Sequence, residues 1–251
     1  MKSERVARTV RQLYGEELPR SAGVLHVAAV WESPAGAFHN MRIVADTPES
    51  PTDAWVLALA RARADAIVTT GKILREEPSL RFELATGPDA SLSDWRGERL
   101  GRATPPWVVV LTGSGELDPA HPALGGERVL VLTGRDRAAE VAARLADLSA
   151  EVIGRERPGL LDALVLLRDE RGLATVVVEA GPSTASVLYE APGRVDELLL
   201  SVCRAPGLAG GVRGDPFPSR AMLERAGLGR VSRRDREEPS GPWSFERFVG
   251  R

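Results

Sequence analysis

Short, nearly uninterrupted apolar runs alternate along this chain with amphipathic stretches, and that alternation limits the fold more than any other feature. The first run, VLHVAAVW at residues 24–31, has the character of a strand covered on both faces. Further β-branched runs follow at residues 66–69, 107–111, 128–132 and 175–178, each leading into polar or glycine-containing turn residues. Between them, Ser50-Pro51-Thr52-Asp53 reads as a capped helix start ahead of AWVLALARARA, and residues 135–148 and 159–171 read as further helices. Repeated β and α units predict an α/β domain with a mostly parallel central sheet flanked by helices. After Asp196 the pattern changes: LLLSVCRA, LGRVSRRDRE and WSFERFV read as three strands, an antiparallel C-terminal edge. Val6, Val10, Leu13 and Leu18 share a helical stripe, so residues 1–22 are expected to be an N-terminal helical extension and residues 23–251 a single domain. The Gly-, Ser- and Asp-rich stretch 85–104 reads as a surface loop.

With 251 residues, 43% of them hydrophobic, the chain can bury one substantial core. A formal charge of -2 offers no positive field for nucleic acid. One cysteine, Cys203, and three scattered histidines argue against a zinc or redox-disulfide centre, and no metal is expected. No apolar run reaches the roughly 20 residues that span a bilayer, so no membrane partner and a cytoplasmic location are expected. Thirty-one of the 33 basic residues are arginine, which makes any one arginine uninformative and Lys72 conspicuous.

The strongest local signal is TVVVEAGPSTASVLYE, residues 175–190. A buried strand delivers Glu179, Ala180 and Gly181 permit a tight turn, and Pro182, Ser183 and Thr184 suit the opening of a helix. Free N–H groups at such a turn attract phosphate, although an ordinary strand-to-helix connection looks the same. Neither G-x-G-x-x-G nor G-x-x-x-x-G-K-[ST] is present, which disfavours a standard Rossmann or P-loop enzyme.

Three segments, ADAIVTTGKILREEP, VVVEAGPST and RVDELLLSV, together resemble in order and spacing the C-terminal reductase domain of the bifunctional deaminase/reductase of riboflavin biosynthesis, whose fold is dihydrofolate-reductase-like. Zinc-deaminase signatures are absent from the sequence. The resemblance implies NADPH as cofactor, held by Thr69, Thr70, Gly71, Lys72 and Arg75 at one turn, by Thr112 and Ser114 at a second, and by Ala180, Gly181, Pro182, Ser183 and Thr184 at a third. It places Thr133 and Arg135 at the adenosine 2′-phosphate, and Glu179, the candidate catalytic acid, near nicotinamide and substrate. Asp196-Glu197 is implied to be an interior structural pair, and a homodimer is implied as the assembly.

The family's first-strand S-x-D-G has become Ser33-Pro34-Ala35-Gly36, with alanine in place of an acid used on the substrate. An unsatisfied buried substrate donor costs roughly 1–3 kcal/mol. Trp31, Glu32, Ser33, His39, Asn40 and Arg42 are therefore the expected substrate-lining residues, with Glu32 a stand-in acid, Trp31 a stacking face and His39 a proton donor. The expected function is an NADPH-dependent reductase of a small heterocyclic or carbonyl substrate, with 5-amino-6-(5-phosphoribosylamino)uracil the nearest named one. A dihydropterin-type reductase and a non-catalytic nucleotide-binding module of the same fold are the alternatives.

Overall fold

A computed structural model describes residues 2–18, 22–82, 84, 90–208 and 211–251. The first apolar run forms β1 (Gly23–Glu32) at the middle of the sheet, after the helix α1 (Lys2–Tyr14) and before β2 (Phe38–Met41). There follow α2 (Pro51–Arg63), β3 (Ala66–Thr70), α3 (Gly71–Glu76), α4 (Ala90–Leu100), β4 (Trp107–Thr112), β5 (Val129–Gly134), α5 (Ala138–Arg144) and β6 (Ala150–Arg155). The remainder is α6 (Leu160–Val165), β7 (Thr175–Val178), α7 (Pro182–Ala185), β8 (Glu197–Cys203), β9 (Arg213–Pro216), α8 (Arg220–Arg225), β10 (Leu228–Glu238) and β11 (Gly241–Gly250).

The strands join in the order β10-β11-β8-β1-β7-β3-β4-β5-β6, parallel from β8 to β6 and antiparallel across β8-β11-β10. The α/β class, the mostly parallel sheet and the antiparallel C-terminal edge all match the sequence reading. Alternate β1 residues feed two apolar layers: Leu25, Val27 and Trp31 pack with α1, α2 and α4, while Val24 and Val30 pack with α6, α8 and the turn 186–189. The helix α1 contributes Val10 and Leu13, 1% and 0% exposed, to the first layer, so it is built into the domain's core.

Two expectations need correction. Within the stretch read as a loop, residues 90–100 form α4, which packs its Leu92 and Trp95 against the core and touches α1. Its Gly, Ser and Asp residues lower intrinsic helix propensity, and tertiary burial overrides them. The segment 38–42, three of whose residues were expected to line the substrate, was not read as a strand and is largely β2, paired with Val30–Glu32 of β1 through a turn where Gly36 has φ 77°. The strand β6 and the short β9 were not anticipated either. Both are partly exposed, and edge strands give weak hydrophobic patterning.

Asp196 and Glu197 occupy the structural positions expected. Asp196 accepts a hydrogen bond from the Val24 N–H at 2.7 Å, in space that a side chain at Gly23 would fill. Glu197 lies buried between Arg63 and Arg247, at 2.6 Å from each. Burial opposes its ionisation, but the two guanidinium groups overcome that and hold its carboxyl below the usual glutamate range. Together these contacts fix α2, β8 and β11 relative to one another.

Candidate active site

The parallel strands end on one side of the sheet, and that is where ligands bind in open α/β folds. Along one edge β1 pairs with β8 from Leu25 to Trp31. Along its other edge it pairs first with β7, through His26, and then with β2, from Val30. Val27, Ala28 and Ala29 have no ladder partner on that second edge among the described residues. The gap opens a cleft of about 1140 Å³, with Ala28 and Ala29 in its wall.

Three strand ends converge on the cleft. Thr69 and Thr70 close β3, Thr112, Gly113 and Ser114 close β4, and Glu179 to Thr184 follow β7. Each turn is locally explained. The Thr70 hydroxyl caps α3 by accepting from the Ile73 N–H, the Thr112 hydroxyl accepts from the Gly115 N–H, and Pro182 opens α7. The helix expected after Gly181 is a single α-turn continued as a 3-10 turn through Tyr189, so its macrodipole is small. Pro182 has no N–H and the Thr184 N–H donates to the Gly181 carbonyl at 3.0 Å, which leaves the Ser183 N–H as the first-turn donor without a backbone acceptor. A Cβ added at Gly113 or Gly181 would meet no protein atom within 4 Å, so both backbones face open space. The Thr69 hydroxyl is buried on the cleft wall without a hydrogen-bond partner.

Of the expected cofactor residues, Thr69, Thr70, Lys72, Arg75, Thr112, Ser114, Ala180, Gly181, Pro182, Ser183 and Thr184 line the cleft. Gly71 stands behind it, where a Cβ would press on Thr112 at 3.2 Å; it lets α3 approach β4. Thr133 and Arg135 do not reach the cleft: Thr133 is fully buried and Arg135 is exposed beyond the end of β5. Pro158, Gly159 and Leu160 form the wall at that end instead.

Among the expected substrate residues, Asn40 and Arg42 line the cleft, and Trp31, Glu32, Ser33 and His39 do not. Trp31 packs in the core and donates from Nε1 to the Ala205 carbonyl at 3.0 Å. Glu32 points to the opposite sheet face, ion-paired with Arg204 and Arg220. The Ser33 hydroxyl accepts from the Ala37 N–H within the turn, and His39 is buried beside Trp31 and Arg213. Ala35 is exposed in the same turn, so the missing acid leaves no vacancy in the cleft.

The sequence reading missed the contribution of α2. Asp53, Leu57 and Arg61, spaced four residues apart, form one stripe along the cleft. Arg61 binds Glu179 in a two-pronged contact with side chains 12% and 11% exposed, and its guanidinium also lies over the Phe82 ring, 4.8 Å from the centroid. Glu77 sits half-buried beside this pair. Burial pushes its carboxyl above the usual range, Arg61 pulls it down, and Glu179 adds to the rise. Burial likewise raises the Asp53 carboxyl, with the Ser201 hydroxyl opposing and Glu238 reinforcing. His26 and Tyr189 line the cleft as well: His26 Nδ1 and the Tyr189 hydroxyl lie 2.5 Å apart, and burial drives the His26 pKa down to about 4.

The RibD C-terminal domain profile matches residues 37–232, which run from β2 into β10 and include the three strand-end turns of the cleft but not β1. The chain belongs to the RibD C-terminal domain family. No curated protein matches it. In fold it is similar to a pyrimidine reductase-like protein from Corynebacterium diphtheriae, with TM-score 0.67, 20% identity, and coverage of 100% of this chain and 99% of that one. Acinetobacter baumannii RibD gives TM-score 0.65 at 17% identity over 93% of this chain and 59% of its own. A Thermotoga maritima diaminohydroxyphosphoribosylaminopyrimidine deaminase/5-amino-6-(5-phosphoribosylamino)uracil reductase gives TM-score 0.53 at 13% identity over 92% of this chain and 57% of its own. These neighbours share the dihydrofolate-reductase-like fold.

Proposed function

We propose that the cleft is an NADPH site and that the chain is a reductase of a nitrogen-heterocyclic substrate in the family's pyrimidine chemistry. The observation that carries this reading is the convergence of three strand-end turns on one large cleft, two of them with open glycine backbone at Gly113 and Gly181. Phosphates would be held by the N–H groups of those turns, with the Thr69 hydroxyl free to take a further hydrogen bond. Lys72 and Arg75, exposed on α3 at the rim, supply the positive charge that favours a phosphorylated ribose. The half-paired segment Val27–Ala29 can offer backbone groups to a planar amide, because its small side chains leave the edge accessible. When bound, the dinucleotide supplies a hydride to an electrophilic C=N or C=O carbon, while the heteroatom takes a proton. Glu179, held in one orientation by Arg61, organises this end of the cleft, and Glu77, its carboxyl raised, can hold the proton.

The non-catalytic alternative drew on Ala35, which is exposed in the turn before β2, and the turnover assay decides between it and the reductase reading. A homodimer remains part of the proposal, to be read by light scattering. The test is thermal unfolding with NADPH and NADH, followed by absorbance at the reduced-nicotinamide band across a panel of pyrimidines and pterins. Stabilisation by NADPH and oxidation with at least one heterocycle are expected. Absence of stabilisation at millimolar dinucleotide would overturn the reading.

A further inference from the structure

His26 is the last residue of β1 to pair with β7, opposite Val178, before the unpaired stretch Val27–Ala29 begins. Its neighbours Leu25 and Val27 pack toward α2. The imidazole therefore leaves the strand on the other face, where it stacks on the Phe217 ring at 6.1 Å and meets the Tyr189 hydroxyl. His26 and Tyr189 are 3% and 8% exposed, and both border the cleft. The wall they belong to continues from the turn after β7 through Ser183, Ala185 and Ser186.

One proton position satisfies this pair. Burial keeps the imidazole neutral, so one ring nitrogen donates and the other accepts. The buried phenol needs an acceptor for its O–H, and His26 Nδ1 at 2.5 Å is its hydrogen-bond partner. A proton on Nδ1 would leave that O–H a buried donor without a partner. Tyr189 therefore donates to Nδ1, and the ring proton sits on Nε2. Among the described residues Nε2 has no hydrogen-bond partner, and it is not sealed inside protein. The open side of the ring is the cleft. An uncharged N–H donor there suits a carbonyl oxygen, and of the dinucleotide's groups only the nicotinamide carboxamide carries one. The oxidised nicotinamide ring is also positive, which a protonated histidine would repel and a neutral one does not.

We propose that His26 Nε2–H, fixed by the Tyr189 hydroxyl, donates to the carboxamide oxygen of the nicotinamide and sets how that ring lies against the unpaired edge of β1. The inference rests on the dinucleotide reading of the cleft and adds to it a side chain that recognises the nicotinamide itself. The ring is thereby held on the Phe217 side of the gap, which leaves the α2 side to the substrate.

The test is calorimetric titration of the full chain, and of His26→Leu and His26→Gln, with NADP⁺, its thionicotinamide analogue and adenosine 2′,5′-bisphosphate. The thioamide sulfur is a poor hydrogen-bond acceptor, and the bisphosphate lacks the nicotinamide altogether. The wild type is expected to bind NADP⁺ about tenfold more tightly than the analogue, the size of one lost hydrogen bond. His26→Leu should lose that preference through weaker NADP⁺ binding, with bisphosphate affinity unchanged. His26→Gln, whose amide can accept from Tyr189 and donate into the cleft, should retain most of it. Wild-type indifference to the thioamide, full NADP⁺ affinity in His26→Leu, or an equal weakening of bisphosphate binding in that variant would overturn the inference. The analogue pair needs no variant, so the inference stays testable if His26→Leu fails to fold. If neither NADP⁺ nor the bisphosphate binds the wild type, the dinucleotide reading falls instead.

Discussion

The guanidinium of Arg61 grips the Glu179 carboxylate through two hydrogen bonds, Nε to Oε1 at 2.8 Å and Nη2 to Oε2 at 2.7 Å. The pair ties α2 to the turn after β7, and so joins the α2 wall of the cleft to the turn proposed to hold the dinucleotide. Lysine cannot reproduce the planar fork. Arg61→Lys is expected to fold with stability within about 2 kcal/mol of the wild type. Its kcat/KM should fall by about tenfold or more, because Glu179 loses its fixed orientation. Arg61→Ala leaves a half-buried carboxylate alone and should cost about 3 kcal/mol in urea unfolding. Wild-type turnover in Arg61→Lys would show that the fork does not serve the site.

At Gly181, φ is -61°, which any residue adopts, and an added Cβ meets nothing within 4 Å. Gly181→Val is thus expected to leave the melting temperature of the free protein within about 2 °C. Dinucleotide affinity should nevertheless fall at least tenfold, because the side chain occupies space assigned to the phosphates. Calorimetric titration with NADPH reads the affinity. Undiminished binding would remove this turn from the site.

The Asp53 carboxyl, with its pKa raised in the fold, binds its proton more tightly there than in the unfolded chain. Its ionisation therefore opposes folding. The associated stability is fully present below the unfolded value of 3.8 and is lost as pH rises through the higher folded value. Asp53→Asn should raise the melting temperature at pH 8, with the gain shrinking as pH falls toward the ordinary aspartate range. An acid placed to stabilise the N-terminus of α2 would give the opposite sign, a loss of about 0.3–1 kcal/mol. Melting curves of both proteins across pH 4.5 to 8 decide between the two.

His26 shows the reverse linkage. Burial lowers its pKa to about 4 from an unfolded value of 6.5, so below the latter the unfolded chain binds the extra proton. Stability should decline between these two values, by up to about 3 kcal/mol. His26→Gln keeps a partner for the Tyr189 hydroxyl but cannot titrate in this range, so the stability gap between wild type and variant should narrow on acidification. Urea unfolding at pH 7.5 and pH 5 measures it, and parallel pH dependence of the two proteins would exclude His26 as the cause.

What the sequence revealed follows how each signal is carried. Buried parallel strands announce themselves through continuous apolar composition, so β1, β3, β4 and β7 and the turns at Thr70, Thr112 and Gly181 were legible. The helix α4 was hidden because its Gly and Ser residues contradict its burial, and β6 because an edge strand needs little hydrophobicity. Of the residues expected to line the substrate, Trp31, Glu32, Ser33 and His39 lie outside the cleft lining. Strand pairing with β2 turns Glu32 to the far face and buries Trp31 and His39, and local sequence does not encode which face meets a cleft. The stripe Asp53, Leu57, Arg61 was readable in principle as a four-residue helical period. Its charges look like ordinary helix-surface residues until the sheet is assembled beneath them.

The most direct test of the account is a crystal structure of the chain with NADP⁺ bound. The pyrophosphate is expected against the N–H groups at Gly181 and Ser183, with the nicotinamide at the unpaired edge of Ala28 and Ala29 and open space between its ring and Asp53. A dinucleotide lying elsewhere on the protein, or a nicotinamide directed away from the α2 stripe, would contradict it.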